Sequence, residues 1–418
     1  MKDKKTNNTV KDIDGCELLK NIENAKSRLK GVVHTIPLST SRTFSEMSGA
    51  DLYLKYENQQ KTGSFKVRGA YNKIASLIER GQRPDMVIAS SAGNHAQGVA
   101  FGSHELGIKA TIVMPRSTPI AKVSATEGYG ANVVLHGDCY DDAYDKALEI
   151  KEQTGAVFIH PFDDLDVIAG QGTLGLEILQ DLPNVDVVMV PAGGGGLLAG
   201  VACCIKEINP RIKVIGVQSE GASAIFQSFR NKGWECTESV HTIADGIAVK
   251  SPGKKTCELI NKYVDDIVTV SDEDIATSIL LLLERSKQMV EPAGAASLAA
   301  AISGKADIVG KKVVCVLSGG NIDVSFIHRI VEKGLVTRGR QVKFRTQMLD
   351  IPGSLETFSR IVAKAGGNII KVSHDRLDAT LRLDEAILYT TIEVSGPKHV
   401  EEILSSLAQN GFKSQINS

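Results

Sequence analysis

The sequence lacks the features that mark several classes of protein. Its seven cysteines show no CxxC spacing, which argues against a zinc site or a disulfide framework and favours a reducing compartment. A formal net charge of −1 offers no basic surface to nucleic acid or to a membrane. The longest purely aliphatic run, residues 279–283, is too short to cross a bilayer, and residues 1–14 contain no apolar core of a signal peptide. The sequence therefore predicts a cytoplasmic protein without a nucleic-acid or membrane partner.

Length and composition predict a globular protein with more than one domain. The chain has 418 residues, of which 42% are hydrophobic and 23% are charged, and this balance is typical of two or three ordinary domains. We expect a disordered, polar tail over residues 1–16, a first domain over 17–335 and a C-terminal domain over 340–418. A small inserted subdomain is expected near residues 55–160. The charged stretch 332–343 is the expected linker.

One pattern returns between about residues 50 and 330: a short apolar run, a turn of small residues and then an amphipathic stretch. The runs lie at residues 86–89, 111–114, 186–190, 214–217 and 313–317. Runs that are apolar on both faces are typical of buried parallel strands covered by helices. The sequence therefore predicts an α/β fold with open parallel sheets, in which ligands bind at the carboxyl ends of the strands.

The pattern changes after Arg340. Strand-like segments are expected at residues 341–349, 368–372 and 386–394, with a short last strand after Gly411. Apolar residues recur at helical spacing over 355–365 and 400–407. This order predicts a βαββαβ, ferredoxin-like domain.

A lysine in an unusual setting is the first candidate for chemistry. Lys66 lies in the segment TGSFKVRGA, residues 62–70, between a phenylalanine and a valine. Desolvation lowers the pKa of an amine, and a neutral amine can attack a carbonyl to form a Schiff base. These nine residues alone favour the alternative, a lysine with a buried stem whose ammonium reaches solvent.

The segment SSAGNHAQG, residues 90–98, follows a predicted strand and opens a predicted helix. Its backbone N–H groups can face an anion. Asn94 offers an amide to a ligand oxygen, and Ser91 and His95 can help to bind a carboxylate. A polar helix cap with only local hydrogen bonds is the alternative.

Four consecutive glycines follow the predicted strand at 186–190. Without Cβ atoms at a helix N-terminus, the backbone can close around a phosphate. Gly194, Gly196 and Ala199 also satisfy a dinucleotide pattern with Glu220 as a ribose-binding acid, and a purely structural turn is a further alternative. The candidate phosphate-binding residues are Gly193, Gly194, Gly195, Gly196 and Leu197.

Ser318 is the last candidate residue in this part of the chain. It opens the segment SGGN directly after the strand predicted at 313–317. A hydroxyl at the end of a strand can hydrogen-bond a heterocyclic nitrogen. Ser-Gly-Gly is also a common turn, and a purely structural turn is the alternative.

Taken together and in this order, the four segments resemble those of the fold-type II pyridoxal-phosphate enzymes, in the threonine and serine dehydratase branch. The resemblance implies pyridoxal 5'-phosphate as cofactor and Lys66 as both its Schiff-base anchor and the catalytic base. It implies that Asn94 binds the 3-hydroxyl oxygen, that the glycine segment binds the phosphate and that Ser318 binds the ring nitrogen. The residues implied to bind the substrate, L-threonine or L-serine, are Ser91, Ala92, Gly93 and His95.

Two departures from related enzymes narrow the implied activity. Racemases of this branch have a serine two positions before the cofactor asparagine, where this chain has Ala92, so we expect elimination of water rather than racemisation. Acidic metal ligands of some relatives correspond to Gln218 and Ala224 here, so no metal site is expected. A serine-preferring dehydratase and a racemase remain alternatives within the family. A nicotinamide-dependent oxidoreductase and a non-catalytic amino-acid sensor are alternatives from other classes.

The C-terminal domain resembles an ACT domain, a module that binds amino acids between paired copies. The resemblance rests on the segment DIPGSL, residues 350–355, and on GNI at 367–369. It implies an amino-acid effector and a homodimer or homotetramer. The expected effector site comprises Asp350, Pro352, Gly353, Leu355 and Asn368. A turn that only caps its helix, in a domain that serves assembly, is the alternative.

Overall fold

Three β-sheets organise the computed structural model, which describes residues 13–337, 339–378 and 381–417. The chain divides into two compact units, Met1–Ile322 and Asp323–Ser418. Two sheets belong to the first unit and one to the second. This mixed α/β architecture confirms the predicted fold class.

The larger sheet of the first unit has six strands. They are, in spatial order, β1 (Ser39–Thr40), β2 (Asp51–Tyr56), β10 (Lys312–Leu317), β7 (Val187–Pro191), β8 (Lys213–Ser219) and β9 (Asp266–Val270). All pairings are parallel except that of β1 with β2. Every residue of β7 is buried, as expected for a central strand with helices on both faces.

A smaller sheet is built from four parallel strands. In spatial order they are β5 (Asn132–Leu135), β4 (Lys109–Met114), β3 (Met86–Ser90) and β6 (Val157–Phe158). This sheet lies inside the stretch predicted as the small subdomain. Ile74, Val87, Ile112 and Val167 belong to its own apolar core.

In the described part of the first unit, residues 13–322, twelve α-helices surround these sheets. They are α1 (Gly15–Leu29), α2 (Arg42–Ser48), α3 (Lys66–Glu79), α4 (Asn94–Glu105), α5 (Ile120–Gly128), α6 (Tyr140–Thr154), α7 (Leu165–Asp181), α8 (Gly196–Ile208), α9 (Ala224–Arg230), α10 (Lys254–Tyr263), α11 (Asp272–Leu281) and α12 (Pro292–Ile302). Helix α8 is buried from Gly196 to Ile205, which explains why its sequence is apolar on every face. Helices α3, α4 and α8 follow the loops that the sequence singled out.

The second unit contains the predicted βαββαβ order. Its elements are α13 (Val324–Thr337), β11 (Gln341–Leu349), α14 (Ser354–Lys364), β12 (Asn368–Asp375), β13 (Glu385–Glu393), α15 (Pro397–Gln409) and β14 (Lys413–Ile416). The antiparallel sheet has the order β12-β13-β11-β14. Phe344, Phe358, Leu388 and Ile403 pack in its core. Gly366 follows the end of α14 and has φ +87°, as a left-handed cap requires.

Two predicted boundaries need correction. The charged stretch 332–343 is not a linker: α13 runs to Thr337, and β11 begins at Gln341. The tail also ends earlier than residue 16, because Asp14 accepts a hydrogen bond from the Cys16 N–H and caps α1. Residues 1–12 of that tail lie outside the described residues. Among the helices that the structure describes, none is both long and apolar enough to span a membrane.

Candidate active site

Lys66 is the first residue of α3, and its side chain reaches the segment that follows β6. The Nζ atom donates a hydrogen bond to the Pro161 carbonyl oxygen at 2.9 Å. Burial lowers the pKa of the amine from 10.5 to about 8, while the negative charge of Glu291 acts in the opposite direction. The structure therefore favours the reactive amine over the alternative of an ammonium held in solvent.

A cluster of buried charges anchors the first turns of α3. Arg68, two residues after Lys66, donates to both carboxylate oxygens of Glu57, each at 2.8 Å, and to those of Glu177 at 2.6 and 3.0 Å. Burial alone would lower the pKa of the guanidinium, but the two carboxylates raise it above its usual value. Lys55 also contacts Glu177, at 2.8 Å. These contacts hold the backbone that carries Lys66.

The loop after β3 brings Asn94 to the same region. Helix α4 approaches α3 so closely that a Cβ at Gly98 would lie 3.1 Å from the carbonyl carbon of Lys66. Asn94, the first residue of α4, donates from Nδ2 to Glu291 Oε1 at 2.7 Å. Its Oδ1 accepts from Asn321 Nδ2, also at 2.7 Å. Both ends of the Asn94 amide are thus oriented by other side chains.

The residues expected to bind the substrate carboxylate surround the start of α4. Ser91 Oγ accepts a hydrogen bond from the Gly93 N–H at 3.2 Å, so it orders the turn that contains Ala92. The His95 ring is buried, and its Nε2 lies 2.8 Å from the Ile159 carbonyl oxygen. Burial lowers the pKa of His95 to about 3, so the ring is neutral. His95 therefore belongs to the wall of the site as a neutral, hydrogen-bonded ring.

The glycine segment forms a tight loop between β7 and α8. Gly195 has φ +95°, and a Cβ at Gly194 would lie only 2.2 Å from the Phe162 ring. The Gly194 carbonyl oxygen accepts from Thr256 Oγ1 at 2.7 Å. Glycine is thus required here by both conformation and space, and the loop meets the N-terminus of a buried helix, where N–H groups can bind an anion. Leu197, in the first turn of α8, is buried beneath it.

Ser318 follows β10 and lies beside the lysine segment. Its carbonyl oxygen accepts from the Phe65 N–H at 3.1 Å, and Ser64 forms an isolated antiparallel bridge with Gly319. Asn321 Nδ2 also donates to the Thr62 carbonyl oxygen at 2.8 Å. The structure therefore joins the segments around Lys66 and Ser318, which are far apart in the sequence.

Glu291 is a residue of this region to which sequence reasoning assigned no role. It precedes Pro292 at the start of α12, is 5% exposed, and contacts Asn94 as described above. Burial raises its pKa from 4.5 to about 7, and Asp245 adds to this rise. The available signal was an acidic residue immediately before a helix whose residues Pro292–Ala301 are all buried.

The positions compared with metal ligands serve other purposes. Gln218 donates from Nε2 to the Ala192 carbonyl oxygen and accepts at Oε1 from the Phe226 N–H, at 3.1 and 2.8 Å. Ala224 begins α9. A search of the described residues finds no group of three His, Cys, Asp or Glu side chains that could hold a metal ion.

The residues expected to bind an effector are divided between the two ends of the second unit. Asp350 pairs with Arg376 at 2.7 Å, and Gly353, with φ +91°, precedes α14. Leu355 is 46% exposed at the same end. Asn368 instead pairs with Glu393 in a register that places it level with Gln341, at the far end of β11 from Asp350. Within one chain, therefore, Asn368 does not join the loop that contains Pro352.

Comparisons with known proteins agree with this geometry. A family model described as pyridoxal-phosphate dependent enzyme matches residues 29–319. A protein of Thermotoga maritima named L-threonine ammonia-lyase is 51% identical over 398 residues, which are 95% of this chain and 99% of that protein. The structure of threonine deaminase isoform 2 from Solanum lycopersicum is 37% identical, with a TM-score of 0.73 over 77% of this chain and 89% of that chain. The structure of maize serine racemase is 35% identical, with a TM-score of 0.71 over 76% of this chain and 98% of that chain.

Proposed function

Because the chain belongs to the family of pyridoxal-phosphate-dependent enzymes, we propose that it eliminates water from L-threonine and releases 2-oxobutanoate and ammonia. The observation that carries this proposal is the Lys66 amine of lowered pKa beside a glycine loop, Asn94 and the Ser318 segment. Relatives named for threonine ammonia-lyase and threonine deaminase activity support the substrate. L-Serine has the same β-hydroxyl group and should yield pyruvate by the same route.

The residues present fit pyridoxal phosphate. The loop 193–196 leaves backbone N–H groups at the start of α8 open to the phosphate. Side chains at Gly194 and Gly196 would collide with Phe162, so the loop can take this path only with glycine. Asn94 offers an N–H to the hydroxyl oxygen, and the Ser318 hydroxyl is available to the ring nitrogen. When bound, pyridoxal phosphate supplies an electron sink for the negative charge that develops at the substrate Cα.

Lys66 has two tasks in this proposal. Its amine would anchor pyridoxal phosphate, and as a free, neutral amine it would be the base that takes the proton from the substrate Cα. A pKa of about 8 leaves a useful fraction of the amine neutral near physiological pH. Ser318 is a neutral partner that does not stabilise a positive charge on the ring nitrogen as a carboxylate would. With this neutral partner the bound group would be a weaker electron sink, which would favour loss of the β-hydroxyl as soon as the Cα proton is removed; overall, that proton and the hydroxyl leave as water.

Ala92 and its neighbours support a lyase rather than a racemase. Ser91 and the N–H groups around Gly93 are suited to the substrate carboxylate, and neutral His95 lines the same wall. Ala92 has only a methyl group and cannot deliver a proton to the opposite face of Cα. The two alternatives from other classes are less well supported, because neither a nicotinamide oxidoreductase nor an amino-acid sensor needs an amine at Lys66.

We also propose that the second unit binds an amino acid and regulates the enzyme. The βαββαβ fold and the exposed loop between β11 and α14 support this assignment. Because Asn368 lies at the opposite end from Asp350, a complete effector site needs residues of a second chain, which supports a homodimer or homotetramer. All seven cysteines are free thiols, which supports the proposed cytoplasmic location.

Replacement of Lys66 by alanine tests the proposed function. Lys66→Ala should remove the visible absorbance of the bound cofactor and reduce ammonia release from L-threonine at least about 10²-fold, as expected for a lost general base. Lys61→Ala is the matched control, because Lys61 is an exposed lysine five positions earlier whose side chain makes no contact in the site. Full activity of the Lys66 variant would refute the proposal.

A further inference from the structure

The Asn94 amide is clamped from both sides. Its Nδ2 donates to Glu291 Oε1 at 2.7 Å, and its Oδ1 accepts from Asn321 Nδ2 at 2.7 Å. Asn321 is itself oriented by its hydrogen bond to the Thr62 carbonyl oxygen at 2.8 Å. A carboxylate only accepts and the Asn321 amide nitrogen only donates, so the Asn94 amide cannot rotate by 180° without losing both bonds.

The clamp leaves one hydrogen-bonding group of Asn94 available. An amide nitrogen carries two N–H donors, and Glu291 uses one of them. The second N–H is free for a ligand oxygen in the site. If the amide were rotated, its carbonyl oxygen would take that place and would repel an oxygen of the ligand.

The surroundings of Glu291 are shaped for this contact. The carboxylate is 5% exposed, and a Cβ at Gly319 would lie 2.4 Å from Oε1 and 3.1 Å from Asn94 Nδ2. Glycine at 319 therefore leaves the space in which the carboxylate and the amide meet. The Glu291 N–H also donates to the Gly319 carbonyl oxygen at 3.0 Å. The backbone of Glu291 is thus bonded to the segment that follows Ser318, and its side chain lies against Gly319.

We propose that Glu291 and Asn321 are positioning residues that lock the Asn94 amide so that its remaining N–H is presented to the hydroxyl oxygen of pyridoxal phosphate. This inference rests on the proposed function, because it takes Asn94 as a residue that binds the cofactor. It goes further by assigning a role to two residues outside the set that contacts the cofactor. Asn94 alone would not specify which end of its amide faces the ligand.

Charge contributes to the clamp as well as geometry. The charged groups that act on Glu291 are Asp245, Lys122 and Lys66, each from a different element. Burial and Asp245 raise its pKa to about 7, whereas Asn94, Lys122 and Lys66 act to lower it. The ionised carboxylate is the stronger acceptor for the Asn94 N–H, so the clamp is strongest above this pKa.

The experiment measures cofactor binding in the full chain, with no reliance on turnover. Pyridoxal phosphate is titrated into the cofactor-free protein, and affinity and the visible absorbance band are recorded between pH 6 and 9. Glu291→Leu removes the acceptor oxygen. Glu291→Gln keeps an acceptor oxygen on a side chain of the same length. Asn321→Ala tests the opposite side of the clamp. Circular dichroism and thermal unfolding of each variant show whether it is folded.

Loss of one oriented hydrogen bond predicts about 3- to 10-fold weaker cofactor binding for Glu291→Leu and Asn321→Ala, and a changed pH dependence of the visible band. Glu291→Gln should bind within about twofold of the original chain. In an Asn94→Ala background, Glu291→Leu should have no further effect, because the two residues act through one bond. If Glu291→Leu does not fold, the same comparison is made with Asn321→Ala, once in the original chain and once in the Asn94→Ala background.

Two results would overturn the inference. One is additive effects of the Asn94 and Glu291 variants, which would mean that they act independently. The other is a Glu291→Gln variant as impaired as Glu291→Leu, which would mean that an acceptor oxygen at this position does not orient the Asn94 amide. Failure of the proposed function would look different: the original chain would bind the cofactor with the expected coupling but release no ammonia from threonine.

Discussion

The buried Arg68 cluster leads to a prediction whose size can be worked from the structure. In Arg68→Met, Glu57 would lose both of its 2.8 Å contacts with the guanidinium and keep only Gln60 Nε2 at 3.4 Å. The Glu57 side chain is 0% exposed, so its charge would be left without solvent or a cation. Breaking a buried ion pair in this way costs about 3–5 kcal/mol. Glu177 adds little to this figure, because it keeps its 2.8 Å contact with Lys55.

Thermal and urea unfolding of the full chain measure this effect. At about 2–4 °C per kcal/mol, the midpoint temperature of the first unfolding transition should fall by about 6–20 °C. Arg42→Met is the control, because the Arg42–Glu46 pair on α2 is exposed and should contribute less than about 0.5 kcal/mol. Adding Glu57→Gln to Arg68→Met should recover part of the loss by removing the unpaired charge. A loss below about 1 kcal/mol, or an equal loss in the Arg42 variant, would refute the reasoning.

Three further predictions concern chemistry and regulation. The rate at which Lys66 reacts with added pyridoxal phosphate should rise with pH and level off above about pH 8, because only the neutral amine reacts. Stopped-flow absorbance measures this rate, and a rate that keeps rising up to pH 10 would contradict the lowered pKa. Ala92→Ser should raise the formation of D-serine from L-serine relative to pyruvate, measured by chiral chromatography; an unchanged ratio would show that Ala92 does not separate the two reactions. Isoleucine or valine should change the affinity for threonine by about 5- to 150-fold in the full chain. Gly353→Val should abolish that response, since φ +91° strains a β-branched residue, and calorimetry should show the effector bound by the original chain but not by the variant.

The strands could be predicted because their sequences have a physical reason to be distinctive. Parallel strands covered on both faces need continuous apolar residues, so β3 was expected at 86–89 and is found at Met86–Ser90. Strand β11, expected at 341–349, is found at Gln341–Leu349, where buried residues alternate with half-buried or exposed ones. Helix α13 was missed because it buries only Ile330. Three of its residues are charged, Arg329, Glu332 and Lys333, and its last six residues lie within the stretch 332–343 that was expected to be the linker.

The site residues could be proposed only from four segments taken together. The nine residues around Lys66 alone favour a lysine with a buried stem, and the tetraglycine alone also allows a structural turn or a dinucleotide site, so the prediction rested on the order of the segments. Glu291 could not be assigned, because its partner Asn94 is 197 residues away and nothing local reveals the contact. The arrangement of the expected effector residues could not be predicted for the same reason: strand register, which sequence patterns do not show, places Asn368 level with Gln341, at the other end of β11 from Asp350.

The bond between Asn321 and Thr62 spans 259 residues, and the Ser64–Gly319 bridge lies beside it. During synthesis on the ribosome, the segment that contains Lys66 emerges long before its partner exists. The site can therefore close only after nearly all of the first unit has left the exit tunnel. Acquisition of the cofactor consequently marks a completed first unit, and chains arrested before Gly319 would present a lysine without the pocket that makes it reactive.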